Sequence, residues 1–213
     1  MQENRNERFW GDHADIYDTE IDRVIGSDSR QAIFDYLLTL PGLGDAIEFG
    51  CGPGFFTRAI ARNARSLLAT DISERMLDRA RQNVQGHPHV RFRKLDCEET
   101  GLKSDTFDTV FTANVVMILE RPDRAIAEAY RILKPGGRLI LLFYTMHGVG
   151  IFDRFRMMVR FMARFRGVPF KHFFTMGETR ALAERAGFRI DELKYIGGPM
   201  KAIYLEATKL KTA

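Results

Sequence analysis

The segment Asp45-Ala-Ile-Glu-Phe-Gly50-Cys-Gly-Pro-Gly-Phe-Phe-Thr57 sets a short apolar strand, Ala46 to Phe49, against three glycines at alternate positions, Gly50, Gly52 and Gly54. Phe55 to Arg65 then reads as a helix. Strand, glycine turn and helix in that order can cradle a ligand, because a residue without Cβ takes positive φ and lets the ligand lie against the main chain. The loop amides and the positive end of the helix would face it. Glu48, at the end of the strand, would place a carboxylate beside the glycines, which favours a ligand with a cationic group over one made only of phosphates. Glycine-rich turns also serve simply to fold a helix back on a strand, so the loop by itself leaves both readings open.

A chain of 213 residues, 45% hydrophobic and 28% charged, reads as an ordinary soluble globular protein with one core, and a single domain over residues 1–213 is expected. No apolar window of about 18 residues occurs. The polar start Met1-Gln-Glu-Asn-Arg-Asn-Glu-Arg8 does not read as a signal peptide, so a cytoplasmic location is expected. The two cysteines, Cys51 and Cys97, indicate neither a disulfide framework nor a metal site, and both read as small pocket or core residues. The net charge of +4 is unevenly placed: residues 148–175 carry +5 and the remainder −1. The basic balance therefore describes one segment, which argues against a nucleic-acid partner.

Working outward from the loop, residues 1–40 read as a helical cover, with Trp10 and Tyr17 either packed on the domain or lying over the ligand loop. Ser66 to Thr70 reads as a second buried strand ending at Asp71, about 20 residues beyond the loop, the spacing at which a carboxylate meets a ribose diol in doubly wound folds. Ser73 then caps a helix that Gly86 closes. Val90 and Phe92 alternate with Arg91 and Arg93 in a third strand ending at Leu95-Asp96, where a second acid could accept a hydrogen bond from an adenine amine. Phe107 to Thr112 forms a fourth strand leading to Ala113-Asn114, and Arg138 to Tyr144 a fifth, entered through Pro135-Gly136-Gly137. A helix from Glu178 to Ala186 and an antiparallel pair, Phe188 to Ile196 and Ala202 to Thr208, complete a doubly wound α/β sheet. Ligands of such sheets bind beyond the carboxyl ends of the strands.

This pattern resembles the class I S-adenosylmethionine-dependent methyltransferases, especially the small-molecule branch that includes the ubiquinone and menaquinone enzymes. The resemblance rests on Glu48-Phe-Gly-Cys-Gly-Pro-Gly54, Thr70-Asp-Ile-Ser73 with Met76, Leu95-Asp96, Phe107-Asp-Thr-Val110 and Leu133-Lys-Pro-Gly-Gly137. It implies a seven-stranded, mostly parallel sheet and S-adenosyl-L-methionine as cofactor. Glu48, Gly50 and Gly52, with Cys51 between them, would hold the methionine part and Asp71 the ribose. Ile72 and Met76 would cover the adenine faces, Asp96 and Cys97 its edge, and Ala113 and Asn114 would lie near the methyl group. A dinucleotide loop would need glycine where Phe55 stands.

The resemblance further implies methyl transfer to a small, apolar or lipid-like acceptor, the alternative being a cofactor-binding regulatory or assembly protein without turnover. In-line displacement asks mainly for alignment in a dry cavity. If a base is used, His147, three residues beyond the fifth strand, is the best placed, with Tyr17 and His13 behind it. Between Ile151 and Phe174, Ile151, Phe155, Met158, Met162 and Phe165 fall at helical spacing with Phe152 and Val159 alongside, and Asp153, Arg156, Arg160 and Arg164 run down another face. The segment is expected as a substrate lid, with a packed surface helix or peripheral membrane contact through 151–174 as the other readings.

Overall fold

The computed structural model describes residues 5–152, 154–156, 159 and 171–211. Its centre follows from the apolar run Leu139-Ile-Leu-Leu-Phe143, every residue of which is buried. Such a run is the mark of a strand covered on both faces. It forms the middle of β5 (Leu133–Thr145), flanked by β4 (Phe107–Ala113) and β7 (Lys201–Lys209). With β1 (Gly44–Phe49), β2 (Ala64–Asp71), β3 (Val90–Lys94) and β6 (Phe188–Gly197), the strands make one sheet in the order β3-β2-β1-β4-β5-β7-β6. Strands β1 to β5 run parallel to one another, and β7 runs antiparallel to both β5 and β6. This is the doubly wound sheet with a reversed C-terminal hairpin that the sequence implies.

Alternation along β1 sends Ile47 and Phe49 into the core under α6 (Pro122–Ile132) and α7 (Met176–Arg185), and Ala46 into the core under α3 (Ser27–Leu38) and α4 (Thr57–Asn63). A smaller cluster of Cys51, Ala69, Leu77 and Ala80 seats α5 (Glu74–Asn83) on the same side as α4. Local signals set the helix starts. Ser73 caps α5 by accepting from the Met76 amide at 3.4 Å. Pro122 opens α6, where its missing N–H costs nothing. Thr175 and Glu178 form a reciprocal capping box, so α7 begins at Met176, ahead of the expected Glu178.

Two further boundaries depart from expectation. Helix α4 spans only Thr57–Asn63, because Asn63 is tied to the end of α3 through Nδ2 and the Leu38 carbonyl (2.9 Å) and accepts from the Leu43 amide (2.8 Å). Its successors Ala64 and Arg65 already belong to β2. Strand β5 starts at Leu133 because Leu133 pairs with Phe107 while Arg138 pairs with Thr109, which makes Lys134 to Gly137 a bulge instead of a separate turn.

The expected N-terminal cover comprises α1 (Arg5–His13), α2 (Tyr17–Ile25) and α3. Helix α1 lies along α5, joined by exposed ion pairs from Asp12 to Arg75 (3.1 Å) and Asp15 to Arg79 (2.7 Å), with a further pair from Glu7 to Lys94 of β3. Helix α2 is fastened to α3 by Arg30, 3% exposed, which pairs with Asp18 and with Asp22 (3.1 Å) and lies 3.7 Å over the ring of Phe55. Among the described residues no helix is long and apolar enough to cross a membrane. Residues 151, 152, 154–156 and 159 are helical. Met158, Arg160, Met162, Arg164 and Phe165 of the expected lid lie outside the described residues.

Candidate cofactor site

The glycine loop is held by backbone bonds before any ligand arrives. The Cys51 amide donates to the Thr70 carbonyl (2.8 Å) and the Gly54 amide to the Cys51 carbonyl (3.0 Å). Gly50, at φ 67°, runs so close to β4 that an added Cβ would sit 2.1 Å from Val115 Cγ2. Gly52, at φ 51°, is the opposite case, since a Cβ there would meet nothing within 4 Å.

Asp71, buried at the end of β2, joins the loop to α5. Its Oδ2 accepts from the Gly52 amide and its Oδ1 from the Ser73 amide, both at 2.9 Å. Burial raises its pKa to about 6, against the pull of the amides of Ser73, Gly52 and Ile72, which favour the charged form. Three amides on a carboxylate with about four acceptor positions leave room for a further hydroxyl donor. On the neighbouring strand end, exposed Asp96 accepts from the Glu98 amide through Oδ1 (2.9 Å), a local turn that leaves Oδ2 outside that bond. Asn114 closes the β4 side in the left-handed region (φ 61°), its Oδ1 accepting from the Tyr144 amide at 2.8 Å. An asparagine tolerates that conformation and here ties β4 to β5.

These elements enclose one pocket at the carboxyl ends of β1, β2 and β4, lined by Trp10, Tyr17, Gly50, Gly52, Asp71, Ile72, Met76, Leu95, Asp96, Cys97, Ala113, Asn114, Val115, Ile118 and Leu119. The structure thus brings Gly50, Gly52, Asp71, Ile72, Met76, Asp96, Cys97, Ala113, Asn114 and Tyr17 together. Three expected site residues fall elsewhere. Glu48 does not line the pocket. Strand alternation turns it toward α4, where Oε2 accepts from Thr57 Oγ1 at 2.7 Å. Burial raises its pKa to about 8, Thr57 opposing and the charge of Asp71 adding to the rise. Cys51 contributes backbone to the loop, but its side chain packs with Ala69, Leu77 and Ala80 beneath α5, and burial pushes its thiol well up. His147 is exposed and stacks on Tyr195, ring centroids 4.2 Å apart, outside the pocket lining.

Tyr17 lines the pocket, yet desolvation raises its hydroxyl to about 12, Arg30 lowering it and the charges of Asp18 and Asp71 adding to the rise. At neutral pH it is a hydrogen-bonding hydroxyl and not a base. Val115, Ile118 and Leu119 escaped sequence reasoning because they surround a single 3-10 turn, Val116–Ile118, which has no period to read. Trp10 is more telling: its Nε1 is buried without a partner among the described residues, at the wall of the pocket. An indole donor left bare and a glycine whose missing Cβ leaves open space both suit a polar ligand lying on the loop. Among the described residues no group of three His, Cys, Asp or Glu is placed to hold a metal ion.

Residues 47–141 match the family model described as a methyltransferase domain. Curated relatives include the demethylmenaquinone methyltransferase of Clavibacter sepedonicus, 27% identical over 61% of this chain and 54% of the relative. Another is the malonyl-[acyl-carrier protein] O-methyltransferase of Halalkalibacterium halodurans, 30% identical over 47% of this chain and 41% of the relative. The matches thus span about half the length of these relatives or less. Among solved structures, a SAM-dependent methyltransferase from Thermotoga maritima superposes with a TM-score of 0.71 at 23% identity, over 95% of this chain and 99% of that one. The [4+2]-cyclase SpnF superposes with 0.68 at 19% identity, over 95% and 96%. Residues 47–141 thus match a methyltransferase domain model, and the seven-stranded sheet around them has the fold of the solved methyltransferase from Thermotoga maritima.

Proposed function

We propose that this chain is an enzyme that transfers the methyl group of S-adenosylmethionine to a small, apolar or lipid-like acceptor. The observation that carries the reading is the pair of strand-end acids: Asp71, locked to the glycine loop by the Gly52 amide, and Asp96 on the next strand, with Ile72 and Met76 between them. Asp71 would take the ribose on its remaining acceptor position, Ile72 and Met76 the adenine faces, and Asp96 with Cys97 the adenine edge. Gly50 and Gly52 would offer backbone to the methionine part, and Trp10 Nε1 a hydrogen bond from above. Glu48 acts from beneath the loop and not as a direct partner, its bond to Thr57 fixing the start of α4. Ala113 and Asn114 would flank the methyl group.

The cofactor supplies an electrophilic methyl group on a sulfonium centre. The chain's task is alignment and exclusion of water, and the apolar wall of Val115, Ile118 and Leu119 serves both and supports an apolar acceptor. With Tyr17 held protonated, His147 outside and Asp71 and Asp96 assigned to the cofactor, no base remains among the described lining residues, which favours acceptors that are nucleophilic without one or have acidic protons of their own. The names of the relatives, one acting on demethylmenaquinone and one on a malonyl carrier protein, agree with a non-nucleic-acid acceptor. A second reading, a protein of this fold without methyl transfer, draws on the likeness to a cyclase.

Calorimetry with S-adenosylmethionine and its demethylated product tests the site. Binding is expected, weakened at least about tenfold, or about 1.4 kcal/mol, by Asp71→Ala. Absence of binding to either ends the reading. Release of the demethylated product in the presence of quinols, phenols, thiols and amines separates enzyme from non-enzyme; binding without release for any acceptor supports the second reading.

A further inference from the structure

The most conspicuous feature that the pocket does not absorb is the helical run following β5. Ile151 is 77% exposed, Phe152 88%, Phe155 66% and Val159 50%. Large side chains left this open in a contiguous group mark an interaction surface more often than chance exposure. Residues 151, 155 and 159 recur every fourth position, so they share one helix face, with Phe152 alongside. The same geometry puts Arg154 on one border of that face and Arg156 on the other, both exposed. Arg154 is steadied by a bond from Nε to the Val149 carbonyl at 2.8 Å.

None of these residues lines the cofactor pocket. A second copy of this chain is a poor occupant, because self-docking would set a segment of net charge +5 against itself. The charge is local to this stretch of sequence, the remainder of the chain carrying −1, which favours an anionic partner for the segment. A protruding apolar ridge bordered by arginines, with no concave anchor, fits a broad and deformable surface. Its aromatic and aliphatic side chains would enter the acyl boundary while the guanidinium groups stay among headgroups.

We propose that the helical face of Ile151, Phe152, Phe155 and Val159, flanked by Arg154 and Arg156, docks this protein on the surface of an anionic lipid bilayer. The inference is independent of methyl transfer, since docking needs no cofactor. Its test is co-sedimentation of the full chain with vesicles of phosphatidylglycerol and phosphatidylcholine, and with phosphatidylcholine alone. Binding is expected to the anionic vesicles only, falling about tenfold or more when salt is raised fivefold. The double change Phe152→Ser with Phe155→Ser, and separately Arg154→Ala with Arg156→Ala, should each reduce it about tenfold. Unaltered melting and cofactor isotherms of these variants would show that the fold is intact. The proposal is overturned by absence of vesicle binding, by equal binding to neutral vesicles, by binding that survives both double changes, or by sedimentation-velocity evidence that the stripe mediates self-association instead.

Discussion

Along the carboxyl edge of the sheet, the ends of β1 and β2 and the exit of β5 differ in how far their side chains are enclosed. Around Gly50, Gly52 and Asp71, every turn of chain is answered by a short-range bond: Cys51 to Thr70, Gly52 to Asp71, Ser73 to Asp71. Beyond Thr145 local bonds also close the turn, from the His147 amide to Thr145 Oγ1 and from the Val149 amide to the Met146 carbonyl, but the side chains of Met146, Ile151, Phe152 and Phe155 stand exposed. A common ligand needs one fixed geometry, and the first region supplies it in advance. The second region is where one domain of this fold can differ from the next in what it contacts.

The sharpest way to break the contrast is Gly50→Ala. Its Cβ would fall 2.1 Å from Val115 Cγ2 at a backbone φ of 67° that alanine avoids. A loss of about 2–3 kcal/mol of stability is expected, with cofactor binding lost, as read by thermal melts and calorimetry. Gly52→Ala meets nothing within 4 Å, so it should melt within about 1–2 kcal/mol of the parent while losing binding as severely, since its methyl fills the cradle. Parent-like affinity in Gly50→Ala would show that the loop is not held as described.

An intermediate effect concerns the buried acids. Glu48 is raised from 4.5 to about 8 and Asp71 from 3.8 to about 6, mainly by burial. In each case the folded chain retains a proton that the unfolded chain has released. The stability of the ligand-free protein should therefore fall as pH rises, from about 4 through 6 for Asp71 and onward through about 8 for Glu48. Glu48→Gln should flatten the part of the slope between about pH 6 and 8. Melting curves at several pH values check this, and an unchanged slope would mean that Glu48 is ionised in the folded state. The smallest effect is expected at the N-terminal cover. Asp12→Ala and Asp15→Ala, which break the exposed pairs to Arg75 and Arg79, should each cost no more than about 0.5 kcal/mol and vanish at high salt. A larger loss in cofactor affinity than in stability would show that α1 closes over the pocket.

Much of the fixed region is legible in the sequence, for reasons that the contrast explains. The apolar run of β5, the cap at Ser73 and the spacing from the glycines to Asp71 are local signals, and the sheet order then brings the strand ends together. A strand-end acid beside glycines, such as Glu48, reads as a ligand partner, whereas its bond to Thr57 follows from alternation with Ile47 and Phe49, which sends it to the opposite side of the sheet from them. Cys51, a small pocket or core residue by its type, packs its side chain with Ala69, Leu77 and Ala80 while its backbone bonds close the loop. The wall of Val115, Ile118 and Leu119 has no period, and the orphan donor of Trp10 depends on tertiary packing of α1 against α5. His147 was chosen by proximity in sequence, and its stacking on Tyr195 of β6 is a contact between distant parts of the chain.

The two strands that bound the sheet, β3 and β6, have open backbone on one side. Such edges are templates on which another chain can extend the sheet, the first step toward fibrous aggregates. On β3, Arg91, Arg93 and Lys94 are crowded into five residues, and β6 carries Arg189, Asp191, Glu192 and Lys194. An incoming strand would have to bring its own side chains against these charges and strip their water. Replacing Arg91 and Arg93 with valine would leave every contact of the pocket lining untouched, and would turn β3 into a sticky margin, with visible turbidity on concentration as the consequence.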